Sequence, residues 1–375
     1  MRPHFLIISL LLAALVTGCE KPAAFPIRPH KSKRSIVRRR DTLATIKLHD
    51  TISIAAVGDM MLGSAYPDGS KLPPDSAKRS FETAKEYFKG ADIVFGNLEG
   101  TLLDTGMPAT YKKNLKVAYL FRMPSYYGKV FKNAGFNLVS VANNHITDFG
   151  EKGYTSTTKT LDSYGIHYAG LETCPTTVFE KAGIKYGFCA FAPNAHTTSL
   201  LELRHVSKVI SELKRRCDIV IVSFHGGAEG AGYEHVPFKM ESFMHGKRGN
   251  VHAFAHTAID AGADIVLGNG PHVSRALEKY KGRLIAYSLG NFCTYKSVSV
   301  AGVCGMAPLL KVKLDKKGEF LGGNIISFKQ THLEGLTRDT LNHVVKRIKL
   351  LTEKDFPNSG LEIGDDGSII SSGTN

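Results

Sequence analysis

Five apolar runs along the chain each end in a short turn that carries Asp, Asn, Glu or His. The runs contain β-branched and aliphatic residues without polar alternation, which is the pattern of strands buried on both faces. They are Ile54–Asp59, Ile93–Glu99, Leu138–His145, Ile219–His225 and Ile265–His272. Since ligands in open α/β sheets bind where such strands end, we expect the five turns to form one rim.

Helical patterns lie between the runs, and four of the five stop at a glycine, which readily adopts the left-handed conformation at helix ends. They are Ser76–Lys89, Ser125–Ala134, Gly153–Tyr164, Leu201–Arg215 and Asn250–Ala261. After Leu284 the pattern turns antiparallel, in 308–315, 323–329 and 361–370, the last with a hairpin signal at Asp366-Gly367. We therefore expect an α/β protein with mixed sheets, with two packed sheets as one option, rather than one parallel sheet.

The N-terminus has the pattern of a bacterial lipoprotein signal. Arg2 is followed by an apolar stretch up to Val16 and by Val-Thr-Gly-Cys19, and the stretch is too short to span a bilayer. We expect cleavage before Cys19 and lipidation of its sulfur, and an ordinary secretory signal is the alternative. Acyl chains on Cys19 would hold the protein stably on a membrane of the cell envelope, facing the periplasm or the exterior.

Charge and composition divide the chain into four parts. Residues 1–41 contain nine Lys or Arg and two acidic residues, which is half of the net charge of +14. We therefore expect a signal at 1–19, a basic disordered tether at 20–50, one globular domain at 51–356 and a hairpin or tail at 357–375. The tether would lie against anionic lipid or polymer. Export makes nucleic acid an improbable partner.

Cysteine has no predicted catalytic role. Apart from Cys19 there are five, an odd number, so internal bridges leave at least one thiol unpaired. Their apolar contexts favour burial for Cys189 and Cys217, and a bridge between Cys293 and Cys304 is conceivable in an oxidising compartment. The sequence leaves the disulfide pairing among all five cysteines open. They are Cys174, Cys189, Cys217, Cys293 and Cys304.

The first three turns offer oxygen and imidazole donors. Asp59 ends the first run, and Asn97 and Glu99 follow the second. Taken alone, Asp59 is more typical of a turn or cap, and Asn97 with Glu99 is equally typical of a turn. The third turn is stronger, because it places three polar residues where a turn needs one. In that turn, Asn143-Asn144-His145, the Asn carbonyl could ligate a metal while His145 protonates a leaving oxygen.

The later turns add two histidines and a carboxylate. His225 opens a glycine-rich loop in which Glu229 is a possible base or second ligand, and His272 follows Pro271. We expect both imidazoles, together with His145, to follow strands of one sheet and to favour a ligand role. Asn291 ends a similar segment, 287–292, and could position a loop or substrate. His252 and His256 share a helix face, but the sequence shows no third donor nearby, so we leave this pair out of the site.

These segments together resemble the capsule synthesis CapA family, the poly-γ-glutamate biosynthesis proteins, over about residues 52–328. The motifs are Gly58-Asp-Met-Met-Leu-Gly63, Gly96-Asn-Leu-Glu-Gly100, Ala142-Asn-Asn-His145, Phe224-His-Gly-Gly-Ala-Glu229, Gly262 to His272 and Tyr287-Ser-Leu-Gly-Asn-Phe292. The family is similar to calcineurin-like metallophosphoesterases, which implies a sandwich of two mixed β-sheets flanked by helices.

The resemblance also implies site roles. Asp59, Asn144, His225 and His272 would be metal ligands, Glu99 or Asn97 would stand in place of the bridging carboxylate, and His145 would be the acid. Met61 stands where metallophosphoesterases usually have His, and Asn269 where relatives commonly have His. One or two divalent ions (Mn, Fe, Zn or Mg), or none, therefore remain open.

Two functions fit these expectations. One is a metal-dependent hydrolase in the cell envelope, acting on a phosphoester or on an anionic polymer such as poly-γ-glutamate. The other is a non-catalytic subunit that grips an anionic capsule polymer within a synthesis or export complex.

Overall fold

A computed structural model describes residues 51–111, 119–296 and 298–371. The predicted signal, lipidation site at Cys19 and tether lie outside the described residues, as do the last four residues of the predicted C-terminal tail. None of the helices in the described ranges has the length and apolar character that crossing a membrane requires.

The described chain contains nineteen strands and six α-helices. The strands are β1 (Thr51–Met60), β2 (Ile93–Leu98), β3 (Thr101–Leu102), β4 (Arg122–Met123), β5 (Leu138–Ser140), β6 (His167–Ala169), β7 (Thr176–Lys181), β8 (Ile184–Phe191), β9 (Ile219–His225), β10 (Glu241–Phe243), β11 (Gly246–Gly249), β12 (Ile265–Asn269), β13 (Leu277–Tyr280), β14 (Arg283–Ala286), β15 (Met306–Asp315), β16 (Phe320–Thr331), β17 (Gly335–Arg338), β18 (Leu361–Ile363) and β19 (Ser368–Ser371). The helices are α1 (Lys85–Phe88), α2 (Tyr127–Ala134), α3 (Gly150–Ser163), α4 (Leu203–Lys214), α5 (Val251–Asp260) and α6 (His343–Asp355).

Two mixed sheets contain most of the strands. The first has the order β18-β19-β16-β15-β1-β2-β5-β6, with β17 also paired to β16. Strands β1, β2, β5 and β6 run parallel, while β15, β16 and the β18–β19 hairpin are antiparallel. The second has the order β13-β14-β12-β9-β8-β7, and β8, β9, β12 and β14 are its parallel strands.

The sheets pack face to face around one apolar core. Alternate residues of β1 point to opposite faces, so Ile54 joins the core shared with the second sheet, while Ala55 joins the outer core with α1, α2 and α3. Phe95 and Phe188 meet across the two sheets at a ring centroid distance of 5.8 Å. Helices α4 and α5 cover the outer face of the second sheet. This confirms the predicted α/β sandwich of two mixed sheets flanked by helices.

Four of the predicted helices are present within a few residues of their expected limits, and one is much shorter. Only Lys85–Phe88 of the predicted 76–89 segment is α-helical. Ser76 and Ala77 have positive φ angles, which a right-handed helix does not allow, and the segment up to Ala84 forms successive turns. Helix α6 and the small β10–β11 hairpin were not expected from the sequence.

All five described cysteines are free, so the conceivable bridge between Cys293 and Cys304 is absent. Cys293 instead donates a hydrogen bond to the carbonyl of Ser80, with Sγ 2.9 Å from the oxygen. Burial raises the pKa of its thiol. Such a thiol is poorly reactive.

Candidate metal centre

The five turns converge, but from two sheets rather than one. Asp59, Glu99 and His145 follow or end β1, β2 and β5 of the first sheet, whereas His225 and His272 follow or end β9 and β12 of the second. The expectation that all three histidines follow one sheet is therefore wrong. An apolar run indicates that a strand is buried on both faces, but it does not indicate which sheet the strand joins.

Glu99 lies at the centre of the cluster. Its Oε1 is 3.9 Å from Nε2 of His145, 4.0 Å from Nε2 of His225 and 3.7 Å from Nε2 of His272. Both carboxylate oxygens are buried without a hydrogen-bond partner in the described part of the chain. A buried carboxylate without donors is costly, unless a cation completes its environment.

Three side chains of this cluster could hold one ion. Asp59, Glu99 and His272 each offer a ligand atom, and the three atoms lie within 4.8 Å of one another. This oxygen and imidazole set suits Mn, Fe, Zn or Mg. The residues present therefore fit a divalent metal, and the orphaned oxygens of Glu99 are the observation that supports the fit.

Charge and burial shift the pKa values of the cluster in the protein without metal. Burial raises the pKa of Glu99 to about 7, against the opposing effect of the His272 cation. Burial lowers the pKa of His272, but the carboxylates of Glu99 and Asp59 outweigh this effect and raise it to about 10. Burial, assisted by positive charge from Arg248, holds the pKa of His225 well below its usual value. His225 is therefore neutral at pH 7.

Asn97 determines which ring nitrogen of His225 carries the proton. Its Nδ2 donates to Oδ1 of Asp59 at 2.7 Å, and since a carboxylate only accepts, the amide nitrogen must face this side. The same nitrogen lies 3.2 Å from Nδ1 of His225, which must then accept. The neutral ring therefore carries its proton on Nε2, directed at Glu99.

Asn291 has the opposite effect on His272. Its Nδ2 donates to the carbonyls of His272, Ser299 and Cys304, so Oδ1 faces the ring and lies 3.0 Å from Nδ1 of His272. Nδ1 must therefore donate. Nε2 is then the nitrogen that can lose its proton to bind a metal, an arrangement common among metal-binding histidines.

His145 is held by two groups that the sequence reasoning did not single out. Its Nδ1 donates to Oδ2 of Asp148 at 2.8 Å, and the ring of Phe121 packs on the imidazole with centroids 4.0 Å apart. Oδ2 of Asp148 also accepts from the backbone amide of Phe121. The spacing of His145 and Asp148 by three residues was a signal that could have identified the pair.

Glu229 lies between a cation and a ring. Its Oε1 is 2.9 Å from Nη2 of Arg248, and its Oε2 is 3.9 Å from Nε2 of His272. Arg248 also donates from Nε to the carbonyl of Gly227, which fixes the glycine-rich loop. Arg248 belongs to the β10–β11 hairpin, and nothing in the sequence near Glu229 pointed to it.

The three remaining Asn residues take different positions. Asn143 donates to the carbonyl of Leu98, and its Oδ1 accepts from the amide of His145. The Oδ1 of Asn144 is buried without a hydrogen-bond partner among the described residues. Nδ2 of Asn269 is 3.2 Å from Oγ of Ser223, on the second sheet. Asn143 thus stabilises a strand end. The Oδ1 of Asn269 is, like that of Asn144, buried without a hydrogen-bond partner among the described residues, so both keep an acceptor available.

A cavity of about 730 Å³ opens over this centre. Its lining includes His145 and His272 from the centre, and Tyr119, Phe121, Lys247 and Arg248 around it. Glu229 also lines the cavity and pairs with Arg248, so Lys247 and the aromatic rings are the groups that would accommodate an anionic molecule with apolar parts.

Comparison with known proteins places this geometry in a family. The model of the family described as "Bacterial capsule synthesis protein PGA_cap" matches residues 53–296. This range includes every residue of the centre. The chain belongs to this capsule synthesis family. The match also covers the β10–β11 hairpin that supplies Arg248.

Two relatives are 30% identical to the chain over the aligned residues. The capsule biosynthesis protein CapA of Bacillus anthracis is 30% identical over 278 residues, covering 68% of this chain and 63% of that protein. The PGA biosynthesis protein CapA of Bacillus subtilis is 30% identical over 262 residues, covering 65% and 63%. The aligned part of the chain thus spans less than two thirds of the length of either relative.

Among solved structures, a putative 5'-nucleotidase from Staphylococcus aureus superposes with a TM-score of 0.42 at 14% identity, covering 74% of this chain and 53% of that one. A 5'-nucleotidase precursor from Thermus thermophilus gives a TM-score of 0.41 at 13% identity, covering 77% and 56%.

Proposed function

We propose that the chain is a metal-dependent hydrolase of the cell envelope that acts in the synthesis of a capsule polymer. The observation that supports it best is Glu99. Its two buried oxygens lack hydrogen-bond partners in the described ranges, while three imidazoles face it within 4.0 Å. A protein that needed only stability would not keep such a group, because an apolar residue of similar size costs less.

Asp59, Glu99 and Nε2 of His272 would hold the ion, with Oδ1 of Asn144 as a further acceptor beside His145. A divalent ion there would polarise the scissile bond and lower the pKa of a bound water. Nε2 of His225, which carries a proton, would donate a hydrogen bond to an oxygen of Glu99 or of the substrate. This role replaces the ligand role implied by the family resemblance as long as Asn97 keeps its orientation.

His145 would act as the general acid. Because Asp148 accepts from Nδ1, Nε2 is the nitrogen that faces the centre and can deliver a proton to a leaving oxygen or nitrogen. Glu229 would hold Arg248 beside the cavity rather than act as a free base, because the two side chains already form an ion pair.

The substrate class follows from the cavity and from the relatives. Lys247 favours an anionic ligand, whereas the charge of Arg248 is paired with Glu229, and the two Bacillus relatives are named for capsule and PGA biosynthesis. We infer a phosphoester or a γ-glutamyl bond within an anionic polymer. A lipid anchor at Cys19 and the basic tether would keep the enzyme at the membrane, beside other subunits of a capsule assembly.

The test is metal content and turnover of the full chain, purified in detergent. After dialysis against Mn²⁺, Fe²⁺, Zn²⁺ or Mg²⁺, we expect the wild type and Glu353→Gln, an exposed control on α6, to retain at least one more equivalent of metal than Glu99→Gln. Hydrolysis of p-nitrophenyl phosphate or poly-γ-glutamate should be lost with the metal. Equal metal content in the wild type and in Glu99→Gln, or turnover that survives in Glu99→Gln, would contradict the proposal.

One observation favours a second function, a non-catalytic subunit that grips an anionic polymer. Asn269 and Met61 occupy two positions where histidine is expected, and the Asn269 amide nitrogen is taken up by Ser223. Fewer ligands weaken a two-metal centre. Binding of poly-γ-glutamate that depends on Lys247, without turnover in any metal, would support this function over the hydrolase.

A further inference from the structure

A second cluster of donors lies on the outer face of the second sheet. His252 and His256 are one turn apart on α5, and their ring centroids are 4.0 Å apart. Glu278, on the edge strand β13, places both carboxylate oxygens 3.0 Å from Nε2 of His256. The three residues each offer a ligand atom, and these atoms lie within 4.8 Å of one another. None of them belongs to the centre around Glu99.

A hydrogen bond from a neighbouring tyrosine orients the carboxylate of Glu278. The hydroxyl of Tyr287 donates to its Oε2 at 2.6 Å, and the Glu278 side chain is 11% exposed. A carboxylate held by a hydrogen bond from behind presents its remaining lone pairs in a fixed direction. In this protein they face the two imidazoles.

Aromatic rings enclose the histidines. Tyr280 stacks on His256 with centroids 3.7 Å apart, and the edge of Phe238 contacts His252 at 4.4 Å. No hydrogen bond to a ring nitrogen of His252 occurs within the part of the chain that the structure describes. Both rings are half-buried, so a small ion could reach them while the rings limit the access of bulk water.

The backbone that carries the pair is well fixed. Asn250 caps α5 by accepting from the amide of Ala253, and Phe254 on the opposite side of the helix packs against Phe224 of the sheet. The two histidines therefore keep their i, i+4 spacing, which suits a single ion between neighbouring turns.

We propose that His252, His256 and Glu278 form a zinc-binding site that links α5 to the edge strand β13. Two imidazoles and one carboxylate are a donor set that Zn²⁺ takes in proteins, with a remaining position for water. Edge strands are the weakest parts of a sheet, and a metal bridging a helix to β13 would stabilise this edge. Without an ion, the alternative is a plain hydrogen-bonded pair of His256 and Glu278.

The experiment separates this site from the centre around Glu99. Zinc is titrated into the full chain carrying Glu99→Gln, in competition with a chromophoric chelator, so that the first centre does not contribute. We expect about one equivalent of zinc to bind this parent protein, and His252→Gln in the same background to weaken binding at least about tenfold. His205→Gln, an exposed histidine on α4, is the matched control and should bind as the parent does.

A second readout does not depend on stoichiometry. Zinc should raise the thermal unfolding midpoint of the parent and of His205→Gln, but not that of His252→Gln or Glu278→Gln. His252→Gln removes a half-buried side chain without a hydrogen bond in the described ranges, so this variant should fold even if Glu278→Gln does not. Zinc binding and stabilisation that persist in His252→Gln, or a parent that binds no zinc, would overturn the proposal. Either result would leave the hydrolase proposal unaffected.

Discussion

Nδ2 of Asn97 lies 3.2 Å from Nδ1 of His225, and this contact joins the end of β2 in one sheet to the end of β9 in the other. The same amide holds Asp59, so one side chain fixes a carboxylate and an imidazole at once. Asn291 has the corresponding role at the second histidine, because it presents its amide oxygen, instead of a nitrogen, to His272. Two amides thus fix which nitrogen keeps its proton: Nε2 in neutral His225, and Nδ1 in His272 once its Nε2 proton is lost.

We expect His225 in the metal-free protein to be neutral with its proton on Nε2. The reason is the donor from Asn97 together with burial, which holds the pKa of the ring far below its usual range. Long-range nitrogen-proton NMR spectra of protein labelled with nitrogen-15 histidine measure this, with His225→Gln for assignment. Asn97→Ala should lose the preference. A wild-type ring protonated on Nδ1 would show that the amide is reversed and that Nε2 is free to bind a metal.

A second expectation concerns the stability of the metal-free protein against pH. Glu99 has a folded pKa of about 7, above its ordinary value, so the folded state binds the proton more tightly than the unfolded state does. The contribution of Glu99 to stability is then greatest at low pH and falls as pH rises towards and through 7. Between pH 5 and 8 this contribution to the free energy of unfolding should drop by on the order of 2 kcal/mol.

Glu99→Gln cannot titrate, so its unfolding free energy in EDTA should change much less over this pH range. Urea unfolding at pH 5, 6, 7 and 8 measures the difference, and Glu353→Gln serves as the exposed control. Equal slopes for wild type and Glu99→Gln would show that Glu99 is not held uncharged by its surroundings.

The sequence predicted the strand ends well, because long apolar runs followed by polar turns reflect burial that any packing of the sheets must respect. It could not assign His145 to one sheet and His225 to the other, since a hydrophobic run is the same in either. It also overestimated the first helix, where the apolar spacing of 76–89 suited a helix but the backbone turns instead at Ser76 and Ala77.

Contacts between residues far apart in the chain were the second feature that the sequence could not predict. Arg248 reaches Glu229 from a hairpin 19 residues further along, and Glu278 reaches His256 from a strand 22 residues further along. No local pattern predicts such contacts, because tertiary packing alone creates them. His252 and His256 were set aside for lack of a third donor, and the fold supplies one in Glu278.

Asp148 gives a test of the proposed acid. Asp148→Asn replaces an acceptor at Nδ1 of His145 with an amide that can present a donor, so the ring would lose its preferred proton position. On a substrate turned over by the wild type, we expect kcat to fall by about 10² to 10⁴ with little change in KM. Asp162→Asn, an exposed carboxylate near Tyr168, is the control. A variant that raises KM but leaves kcat unchanged would mean that Asp148 supports binding rather than proton transfer.

Substitution of Gly58 tests whether the close approach of β1 to residues 290–291 positions the residues of the metal centre. A methyl group at this position would lie 1.9 Å from the carbonyl oxygen of Gly290, the oxygen that accepts from the amide of Asp59. Gly58→Ala must therefore push β1 away from residues 290–291, which moves Asp59 relative to Asn291 and His272. We expect a loss of about 1 to 3 kcal/mol in unfolding free energy, together with weaker metal binding.

Gly232→Ala is the matched control, because a methyl group there meets nothing within 4 Å and the residue has no unusual φ. It should change stability by less than about 0.5 kcal/mol. Urea denaturation and metal titration of both variants measure the two effects separately. If Gly58→Ala lost stability but bound metal as tightly as Gly232→Ala, the contact between β1 and residues 290–291 would serve the fold alone, and the position of Asp59 would depend on Asn97 instead.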